Sequence, residues 1–435
     1  MGIISGFSKF DRNQRLAYIA NHSDLEFSQM LSFSDYCASD VNQQRMFSEM
    51  IENYIGNFPT PIGVVTNMII NDEQFIVPFV TEESSVVAAA AKAAKFWAER
   101  GGFRATVHSM TKKGQVHFSW NGNPPGIHQL FPQIREKLLN STHELTGKMR
   151  QRGGGITGLQ LIDKTKELTD YYQLDVSFET GDAMGANFIN TCLEKIATTL
   201  RNLDELKSDE NSVDIIMAIL SNYTPECNVR CWVECPVEKL TGWSNDLSYN
   251  LFANKFKQSV EIANFDISRA VTHNKGIFNG IDAVLLATGN DYRATAASAH
   301  AYASRNGKYK GLTTVTLTDK TFRYELEMPL ALGTAGGITQ IHPMVKNVMA
   351  ILKNPDARKL MMIAAAAGLA NNFSAVASLI TTGIQSGHMK MHLSNILNQL
   401  NATEMERDLA NKHFEDRPVS HSAVHDFIMQ TRITL

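Results

Sequence analysis

The sequence predicts a globular protein of mixed class, either α/β or α+β. Segments in which apolar and polar residues alternate, as in a strand, stand between segments with the apolar spacing of helices. The chain has 435 residues, of which 43% are hydrophobic and 20% are charged, so it can bury a large core. No sequence period of about 20 to 50 residues recurs, which excludes solenoids. At roughly 150 residues per domain, the length predicts two or three domains.

Charge and hydropathy exclude two kinds of partner. Lys and Arg number 41 against 44 Asp and Glu, for a net charge of -3, and no basic stripe is present that would neutralise a run of phosphates. We therefore expect no nucleic-acid partner. The longest apolar run, Met361 to Ala370, is much shorter than the roughly 20 residues that a bilayer requires, so no membrane span is expected. The opening segment lacks the apolar centre of a secretory signal, which predicts a cytoplasmic protein.

The first hundred residues predict helices around a pair of strands. Residues 12–56 have mostly helical character, and PTPIGVV (59–65) and FIVPFV (75–80) are strand candidates bounded by turn residues. A helix is expected from Ser84 to Arg100, with Thr81 as its N-cap and two glycines as its stop.

The following residues predict a compact domain inserted into a larger one, over roughly 110–220. Its expected elements are strands at 105–110 and 115–120, a helix over 128–150, a strand pair at 159–164 and 171–179, and a helix from Asp182 to Arg201. Beyond this block, the sequence predicts a long helix from about 255, a strand region to about 330 and Ala-rich helices to about 382. The last fifty residues are charged and helical, and they predict a C-terminal appendage.

Three cysteines at four-residue spacing raise the question of a metal site. These are Cys227, Cys231 and Cys235. However, alternate positions from Val229 to Val237 are apolar, which is the pattern of a half-buried strand. In a strand, Cys227 and Cys235 would lie about 26 Å apart, too far to bind one metal. We therefore predict that these cysteines pack in the core and that the protein has no metal site.

The glycines Gly153, Gly155 and Gly158 match the GxGxxG pattern of dinucleotide-binding Rossmann folds. That pattern requires a strand before it and a helix after it, because the pyrophosphate must meet the N-terminus of the helix. Here a charged helical segment precedes the glycines and the strand candidate LQLIDK follows them. The order is reversed, so a Rossmann domain is not favoured.

Four segments contain more polar residues and glycines than packing of the core requires. Each is a candidate functional segment, and each also allows a purely structural explanation. In VTEESS, Glu82 and Glu83 open a helix, where acidic residues can simply complement the helix dipole. DAMGAN, residues 182–187, is a small-residue turn at a helix start. Such a turn is suited either to ordinary capping or to binding a phosphate on backbone N–H groups.

The other two segments contain a lysine, an aspartate and a histidine. In residues 268–294, an apolar segment with the character of a strand lies between THNKG and TGND. This would place Lys275 and Asp291 at the edges of secondary-structure elements, where functional sites are commonly found. A solvated lysine and a turn aspartate are the alternatives. In TGIQSGHMKMH, Gly387 brings the backbone close beside His388, which is either structural or catalytic.

Taken together, long motifs along nearly the whole chain match one known family in order. The motifs are ENYIGNFPTPIGV, VPFVTEESSVVAAA, DAMGANFINT, ILSNY, RAVTHNKGIFNGIDAVLLATGNDYRA, GLANNFSA and TGIQSGHMKMH. By these motifs the sequence resembles hydroxymethylglutaryl-CoA reductase of class II, the soluble kind found mainly in bacteria. The resemblance implies an α+β fold with a large domain around a long central helix (1–109 and 221–382), an inserted ferredoxin-like, non-Rossmann cofactor domain (110–220) and a helical C-terminal flap (383–435).

The resemblance implies a four-electron reduction of 3-hydroxy-3-methylglutaryl-CoA to mevalonate and CoA, through bound mevaldyl-CoA and mevaldehyde, with two equivalents of NADPH or NADH. Each hydride creates an oxyanion that must meet positive charge or a proton. By motif position, Lys275 polarises the thioester carbonyl and protonates the alkoxide, and Glu83 shares protons with it. Asp291 orients this cluster, and His388 protonates the departing CoA thiolate.

The resemblance also assigns binding residues. Arg269 matches the arginine that binds the free carboxylate of the substrate, and the further substrate contacts are Ser85, Thr272, Asn279 and Asn372. The dinucleotide would be held by Asp182, Ala183, Met184, Gly185, Ala186 and Asn187. A homodimer, or a higher oligomer, is implied because the family site is assembled between two subunits. The chain departs from the common family pattern at Ser84, Ser268 and Tyr292, none of which removes a charge from the chemistry.

The residues before the triple glycine favour NADPH over NADH. Members that use NADH resemble one another in carrying an acid shortly before these glycines, where it accepts a hydrogen bond from the ribose 2′-hydroxyl. This chain has Thr146 near that position, followed by Lys148, Arg150 and Arg152, which suit a 2′-phosphate. The alternative is a solvated basic helix end.

Three other functions stay open at this point. The same groups would serve the reverse reaction, the oxidation of mevalonate in catabolism. A CoA-thioester hydrolase using Glu83 and His388 would release CoA without consuming reduced nicotinamide. A non-catalytic CoA-binding protein would show no turnover.

Overall fold

The computed structural model describes residues 3–24, 27–122, 124–207, 212–243, 247–381, 383, 393–415 and 417–434. The chain divides into two compact units, Met1–Pro61 and Ile62–Leu435. The domain boundaries expected from the sequence stay predictions.

The smaller unit consists of short helices. They are α1 (Arg12–Ala20), α2 (Phe27–Met30) and α3 (Val41–Glu49), with single 3-10 turns at Phe7–Lys9 and Leu31–Ser34. Side chains of Asp11 and Asp40 cap the N-termini of α1 and α3. The helices predicted over residues 12–56 are therefore present, but they are short, and residues 50–61 are not helical.

The strands of the larger unit form three antiparallel sheets. The strands are β1 (Ile62–Ile70), β2 (Glu73–Val80), β3 (Arg104–Val107), β4 (Lys112–Trp120), β5 (Gly155–Asp163), β6 (Tyr171–Glu179), β7 (Val213–Ser221), β8 (Asn228–Pro236), β9 (Thr313–Leu317) and β10 (Thr321–Pro329). Strands β1 and β2 form a hairpin, and the others form two four-stranded sheets with the orders β3-β8-β10-β9 and β5-β6-β4-β7.

Helices surround and separate these sheets. They are α4 (Ser84–Ala98), α5 (Pro124–Ser141), α6 (His143–Gln151), α7 (Ala186–Arg201), α8 (Tyr249–Ile262), α9 (Ile267–Ala287), α10 (Tyr292–Ala303), α11 (Ile338–Ile341), α12 (Pro343–Ile351), α13 (Ala357–Leu379), α14 (393–399), α15 (Glu404–His413) and α16 (His421–Thr434). Short 3-10 turns occur at Asp204–Leu206 and Val237–Leu240.

Helix α13 lies at the centre of the main core. Most of its residues are buried, 17 of 23, and α4, α9 and strand β8 pack against it. It is long and apolar enough to pass a length-and-composition test for a membrane span, but 89% of the tested window is buried inside the protein. Burial of this kind is typical of a core helix, and it explains why α13 has no polar face.

The sheet β5-β6-β4-β7 has a core of its own. The chain order is β4, α5, α6, β5, β6, α7, β7, and α5, α6 and α7 pack on the sheet. This is the split βαβ arrangement of ferredoxin-like folds, with helices α5 and α6 together in the first crossover. The antiparallel pairing and the mixed helix and sheet content confirm the α+β class. Helix α6 precedes the triple glycine and strand β5 follows it, which is the reverse of the order that a Rossmann fold requires.

Three local predictions were wrong. The apolar segment after THNKG is the second half of helix α9 and not a strand. Most sides of this helix are buried, so its sequence lacks the polar face by which a surface helix is recognised. The single helix expected over 128–150 is two helices, divided at Thr142. The N-cap of α4 is Glu83 rather than Thr81. By contrast, the cysteine-containing strand is confirmed as β8, which contains Cys231 and Cys235; Cys227 directly precedes it, and all three cysteines are buried.

Close contact between α9 and α13 gives a stability prediction. A Cβ atom at Gly280 would overlap the Ala367 carbonyl group, which belongs to backbone and cannot move independently of α13. We therefore expect Gly280→Ala to lower the free energy of unfolding by about 1–3 kcal/mol or more through overpacking. Gly147 is the matched control, because it is also helical but has open space around its Cβ position. Gly147→Ala should be neutral or slightly stabilising in the same thermal unfolding assay. Equal effects of the two substitutions would contradict the close contact.

Candidate active site

The centre of the candidate site is an ion pair between two helices. Glu83 lies at the N-cap of α4, and its Oε2 accepts a hydrogen bond from Nζ of Lys275 on α9 at 2.9 Å. The Ser85 hydroxyl donates to the other carboxylate oxygen at 3.0 Å. The side chains of Lys275 and Glu83 are 62% and 37% exposed, so a substrate can approach both. The structural alternative, in which Glu83 only complements the helix dipole, does not account for this pair.

One face of α9 carries the predicted substrate-binding residues. Arg269, Thr272, Lys275 and Asn279 follow one another at spacings of three, three and four residues, which places them on one side of a helix. The sequence predicts that Lys275 lies at the edge of an element. That prediction is wrong, because Lys275 lies in the middle of α9. The structure brings this face and the start of α4 together through the Lys275–Glu83 contact.

Arg269 lies near the N-terminus of α9, which Asp266 caps by accepting from the Arg269 N–H. Burial lowers the pKa of Arg269, and the neighbouring Tyr324 opposes that shift. A guanidinium keeps its charge at any physiological pH. Arg269 thus offers a half-buried positive charge, suited to pairing with a carboxylate.

Asn372 is buried below this face, and both polar atoms of its side chain form hydrogen bonds. Its side chain is 1% exposed; Nδ2 donates to the backbone oxygen of His273 at 2.6 Å, and Oδ1 accepts from the hydroxyl of Tyr324. Its assignment as a direct substrate contact stays a prediction.

The structure does not bring Asp291 to Lys275 within one chain. Asp291 is the N-cap of α10, and its carboxylate accepts hydrogen bonds from the backbone N–H groups of Arg293 and Ala294 at 3.1 and 3.0 Å. Lys275 precedes the end of α9 by twelve residues, which is about 18 Å of helix at 1.5 Å per residue. The other catalytic candidate, His388, lies outside the described residues.

The DAMGAN turn has the geometry expected for an anion site. Gly185 caps α7 with a φ of 85° and provides no side-chain hydrogen bond, so the first N–H groups of the helix are not taken up by a cap. Asp182 connects this turn to the segment after β10 and to α13. Its backbone oxygen accepts from the N–H groups of Thr334 and Ala335, and its carboxylate accepts from Ala357 N–H at 2.8 Å. The turn therefore fits a dinucleotide phosphate at the N-terminus of α7.

Sequence reasoning missed the lysine that supports this turn. Lys112 is 3% exposed, and its Nζ donates to Thr180 Oγ1 at 2.6 Å and to the Ala183 carbonyl at 3.0 Å. Burial lowers the pKa of Lys112, and nearby Cys227, Glu179 and Asp182 oppose the shift. No motif marks Lys112, because a lysine at the start of a strand has the same appearance as a solvated edge residue.

The basic residues before the triple glycine lie at the end of α6. Thr146 is buried inside that helix, where its hydroxyl donates to the Thr142 carbonyl, whereas Lys148, Arg150 and Arg152 are exposed. Arg150 also donates to the His143 carbonyl at 2.9 Å.

Over the described ranges, no cluster of three or more His, Cys, Asp or Glu is arranged to hold a metal.

The fold and the site define an α+β protein of the enzyme class, with a lysine–carboxylate pair on an exposed helix face and a ferredoxin-like sheet that has a core of its own. The chain belongs to the hydroxymethylglutaryl-coenzyme A reductase family, whose pattern matches residues 11–393. The family predicted from the sequence motifs is confirmed.

Relatives and solved structures agree with this assignment. The probable 3-hydroxy-3-methylglutaryl-coenzyme A reductase of Borreliella burgdorferi is 33% identical, over 93% of this chain and 91% of the relative. The reductase of Archaeoglobus fulgidus is 34% identical, over 93% of this chain and 89% of the relative. A structure of the class II enzyme from Streptococcus pneumoniae, bound to NADPH in open conformations, has a TM-score of 0.72 and 34% identity, over 87% of this chain and 100% of that one.

A carboxyl group on α9 gives a pH prediction. Asp282 lies two turns beyond Lys275, and its Oδ1 is buried without a hydrogen-bond partner among the described residues. Burial raises the pKa of Asp282 to about 7. Between roughly pH 4 and 7 the folded state therefore binds more protons than the unfolded state, so the contribution of Asp282 to stability is present at low pH and is lost as pH rises through 7.

Asp282→Asn removes this titration while keeping the shape of the side chain. We expect the melting temperature of the variant to exceed that of the wild type by a margin that grows from pH 5 to pH 8. Asp319→Asn, at an exposed turn position, is the control and should show no such trend. A constant difference between Asp282→Asn and wild type over this range would show that the carboxyl group is ionised throughout.

Proposed function

We propose that the chain reduces 3-hydroxy-3-methylglutaryl-CoA to mevalonate and CoA, and that Lys275 and Glu83 are its proton-donating pair. The observation that carries this proposal is the exposed 2.9 Å contact between the two side chains, on the helix face that also carries Arg269. A cation and a carboxylate in direct contact can exchange a proton with each other and with a bound substrate, as the reduction of a carbonyl requires. NADPH, when bound, supplies the hydride.

Lys275 acts on both carbonyl groups of the reaction. Its ammonium polarises the thioester carbonyl and stabilises the alkoxide of mevaldyl-CoA. Cleavage of the C–S bond then releases CoA thiolate, for which His388 is the proposed proton donor, because a histidine pKa lies close to neutral pH. In the second reduction, of mevaldehyde, Lys275 donates a proton to the new alkoxide. Glu83 then takes up a proton from solvent and passes it to Lys275, which restores the ammonium and leaves Glu83 as a carboxylate.

Arg269 is proposed to bind the free carboxylate of the substrate. Ser85, Thr272 and Asn279 lie on the same side as the ion pair or in contact with it, and we propose that they hold the hydroxyl and carbonyl oxygens. The turn of residues 182–187 would hold the dinucleotide phosphates on the N-terminus of α7, since these N–H groups have no side-chain cap. A cytoplasmic location and association beyond a dimer stay predictions.

Removal of the lysine tests this mechanism. We expect Lys275→Ala to lower kcat by about a hundredfold or more, because such losses are typical when a group facing a developing oxyanion is removed. The assay follows oxidation of NADPH by absorbance with 3-hydroxy-3-methylglutaryl-CoA. Lys95→Ala, which removes an exposed lysine from α4, is the matched control and should keep wild-type rates. A rate within threefold of wild type for Lys275→Ala would exclude Lys275 from the mechanism.

We further propose that Asp291 serves the site of a second copy of the chain in a homodimer. The support is the spacing of about 18 Å along α9 between Lys275 and the end of the helix, which a lysine side chain does not span. In a two-fold dimer, each site would take Lys275 from one copy and Asp291 from the other.

Coexpression of two inactive variants tests this arrangement. A heterodimer of Lys275→Ala with Asp291→Asn would contain one intact and one doubly altered site, so a random mixture should regain about a quarter of wild-type activity. Different affinity tags on the two variants verify that heterodimers form. No regained activity in verified heterodimers would place both residues in the site of one chain.

The exposed basic end of α6 is proposed to give a preference for NADPH over NADH, because guanidinium groups pair with a 2′-phosphate. We expect Arg152→Ala to lower kcat/KM for NADPH by about tenfold and to leave kcat/KM for NADH nearly unchanged. Arg201→Ala is the control, because Arg201 lies in the last turn of α7, opposite the end that follows the DAMGAN turn. A tenfold preference of the wild type for NADH would show that the basic end of α6 faces solvent.

A further inference from the structure

Beneath the predicted substrate face, four buried side chains form a closed ring of hydrogen bonds, which we call the buried ring. Its members are His273 on α9, Thr313 on β9, Tyr324 on β10 and Asn372 on α13, and none is more than 1% exposed. His273 Nε2 contacts Thr313 Oγ1 at 2.6 Å, and Thr313 Oγ1 contacts the Tyr324 hydroxyl at 3.2 Å. Tyr324 bonds to Asn372 Oδ1, and Asn372 Nδ2 returns to the His273 carbonyl at 2.6 Å.

The donors and acceptors of the buried ring fit only one direction. The His273 carbonyl can only accept, so the amide of Asn372 turns Nδ2 toward it and Oδ1 toward Tyr324. Tyr324 has one proton, which Asn372 Oδ1 requires, so the Thr313 hydroxyl donates to Tyr324. Thr313 must then accept from His273, which therefore carries its proton on Nε2. Every contact in the ring has one donor and one acceptor, and the Tyr324 hydroxyl is the link that orients the Asn372 amide.

The buried ring lies directly against the residues proposed to bind the substrate. His273 follows Arg269 by four residues, so the two side chains are neighbours on α9. Burial, together with the charge of Arg269, lowers the pKa of His273 to about 3. Burial raises the pKa of Tyr324, and the charge of Arg269 opposes that shift. The imidazole is thus neutral at physiological pH. Asn372 is itself a predicted substrate contact.

We propose that Tyr324 is a positioning residue for substrate binding: its hydroxyl holds the amide of Asn372, and through the buried ring it holds the His273 segment of α9 that carries Arg269 and Thr272. This inference rests on the proposed function, because it assumes that the face above the ring binds the acyl part of the substrate. Tyr324 touches neither substrate nor cofactor. It acts only through Asn372, Thr313 and His273.

Tyr324→Phe tests the proposal by removing one oxygen atom and keeping the aromatic packing. We expect KM for 3-hydroxy-3-methylglutaryl-CoA to rise about tenfold, with kcat within about threefold of wild type and KM for NADPH unchanged. Calorimetric binding of 3-hydroxy-3-methylglutaryl-CoA without cofactor should weaken by the same factor, whereas binding of CoA alone should not change. A KM for the acyl substrate within twofold of wild type, or equal rises in both KM values, would overturn the positioning role.

Tyr302→Phe is the matched control. Tyr302, on α10, is also a buried residue, and its hydroxyl donates at 2.9 Å to Glu327, which lies on the same strand as Tyr324, β10. Its loss should leave both KM values unchanged, which separates positioning from a general effect of deleting a buried hydroxyl group.

The ring predicts non-additivity as well. Thr313→Val breaks the contact with His273 and also the contact with Tyr324, which Tyr324→Phe already removes. Adding Thr313→Val to Tyr324→Phe should therefore raise KM for the acyl substrate by less than the product of the two single effects. Additive effects would show that the contacts act independently and not as a ring. A wild-type protein that binds 3-hydroxy-3-methylglutaryl-CoA but oxidises no NADPH would refute the proposed function alone, since the binding measurements would still decide the role of Tyr324.

Discussion

The packing of α9 against α13 is the constraint on which the rest of the site depends. Two glycines permit it: Gly280 on α9 faces the Ala367 carbonyl, and Gly368 on α13 faces Ile281. Because each glycine accommodates backbone or side chain of the other helix, the two axes approach closely. Helix α4 packs against the same pair, so the position of Lys275 relative to Glu83 follows from how these three helices pack. The contact between Lys275 and Glu83 is thus a consequence of core geometry.

Such a buried centre has a cost, because α13 contains polar residues that must be satisfied away from water. Asn372 meets this requirement through the His273 carbonyl and Tyr324, and Ser374 does so by donating to the Ala89 carbonyl of α4 at 2.6 Å. An unpaired buried polar group costs about 1–3 kcal/mol, so these contacts strongly favour one arrangement of the three helices. The polar residues of the core therefore fix the relative positions of α4, α9 and α13, and with them the position of the face proposed to bind the substrate.

The features that the sequence predicts well are those with a local signal. Alternation of apolar residues marks β4, β6 and β8 correctly, and the order of helix and strand around the triple glycine is sufficient to reject a Rossmann fold. The sequence predicts a strand in the second half of α9 because burial on most sides of a helix removes its hydrophobic periodicity. The length of the apolar segment is the signal that distinguishes a buried helix from a strand. The candidate residues of the site were identified from family motifs, not from periodicity.

Contacts between distant parts of the sequence could not be predicted in this way. The members of the buried ring are separated by 40 residues between His273 and Thr313 and by 99 between His273 and Asn372. Each is unremarkable in its own element, since tyrosine and threonine are common in strands. Lys112 is likewise hidden, because its burial depends on the turn at Thr180 and Ala183 folding over it.

Helix α13 also connects the two halves of the proposed site. Its first residue, Ala357, donates to the carboxylate of Asp182 in the DAMGAN turn, and Asn372 lies fifteen residues further on, beneath the substrate face. Fifteen residues of helix span about 22 Å. Since a buried helix does not change its length, the distance between the turn proposed for the dinucleotide phosphates and the face proposed for the acyl group is set by α13. Any closure of the site must therefore come from elements other than α13, because moving this helix would break its contacts with Asp182 and with the buried ring together.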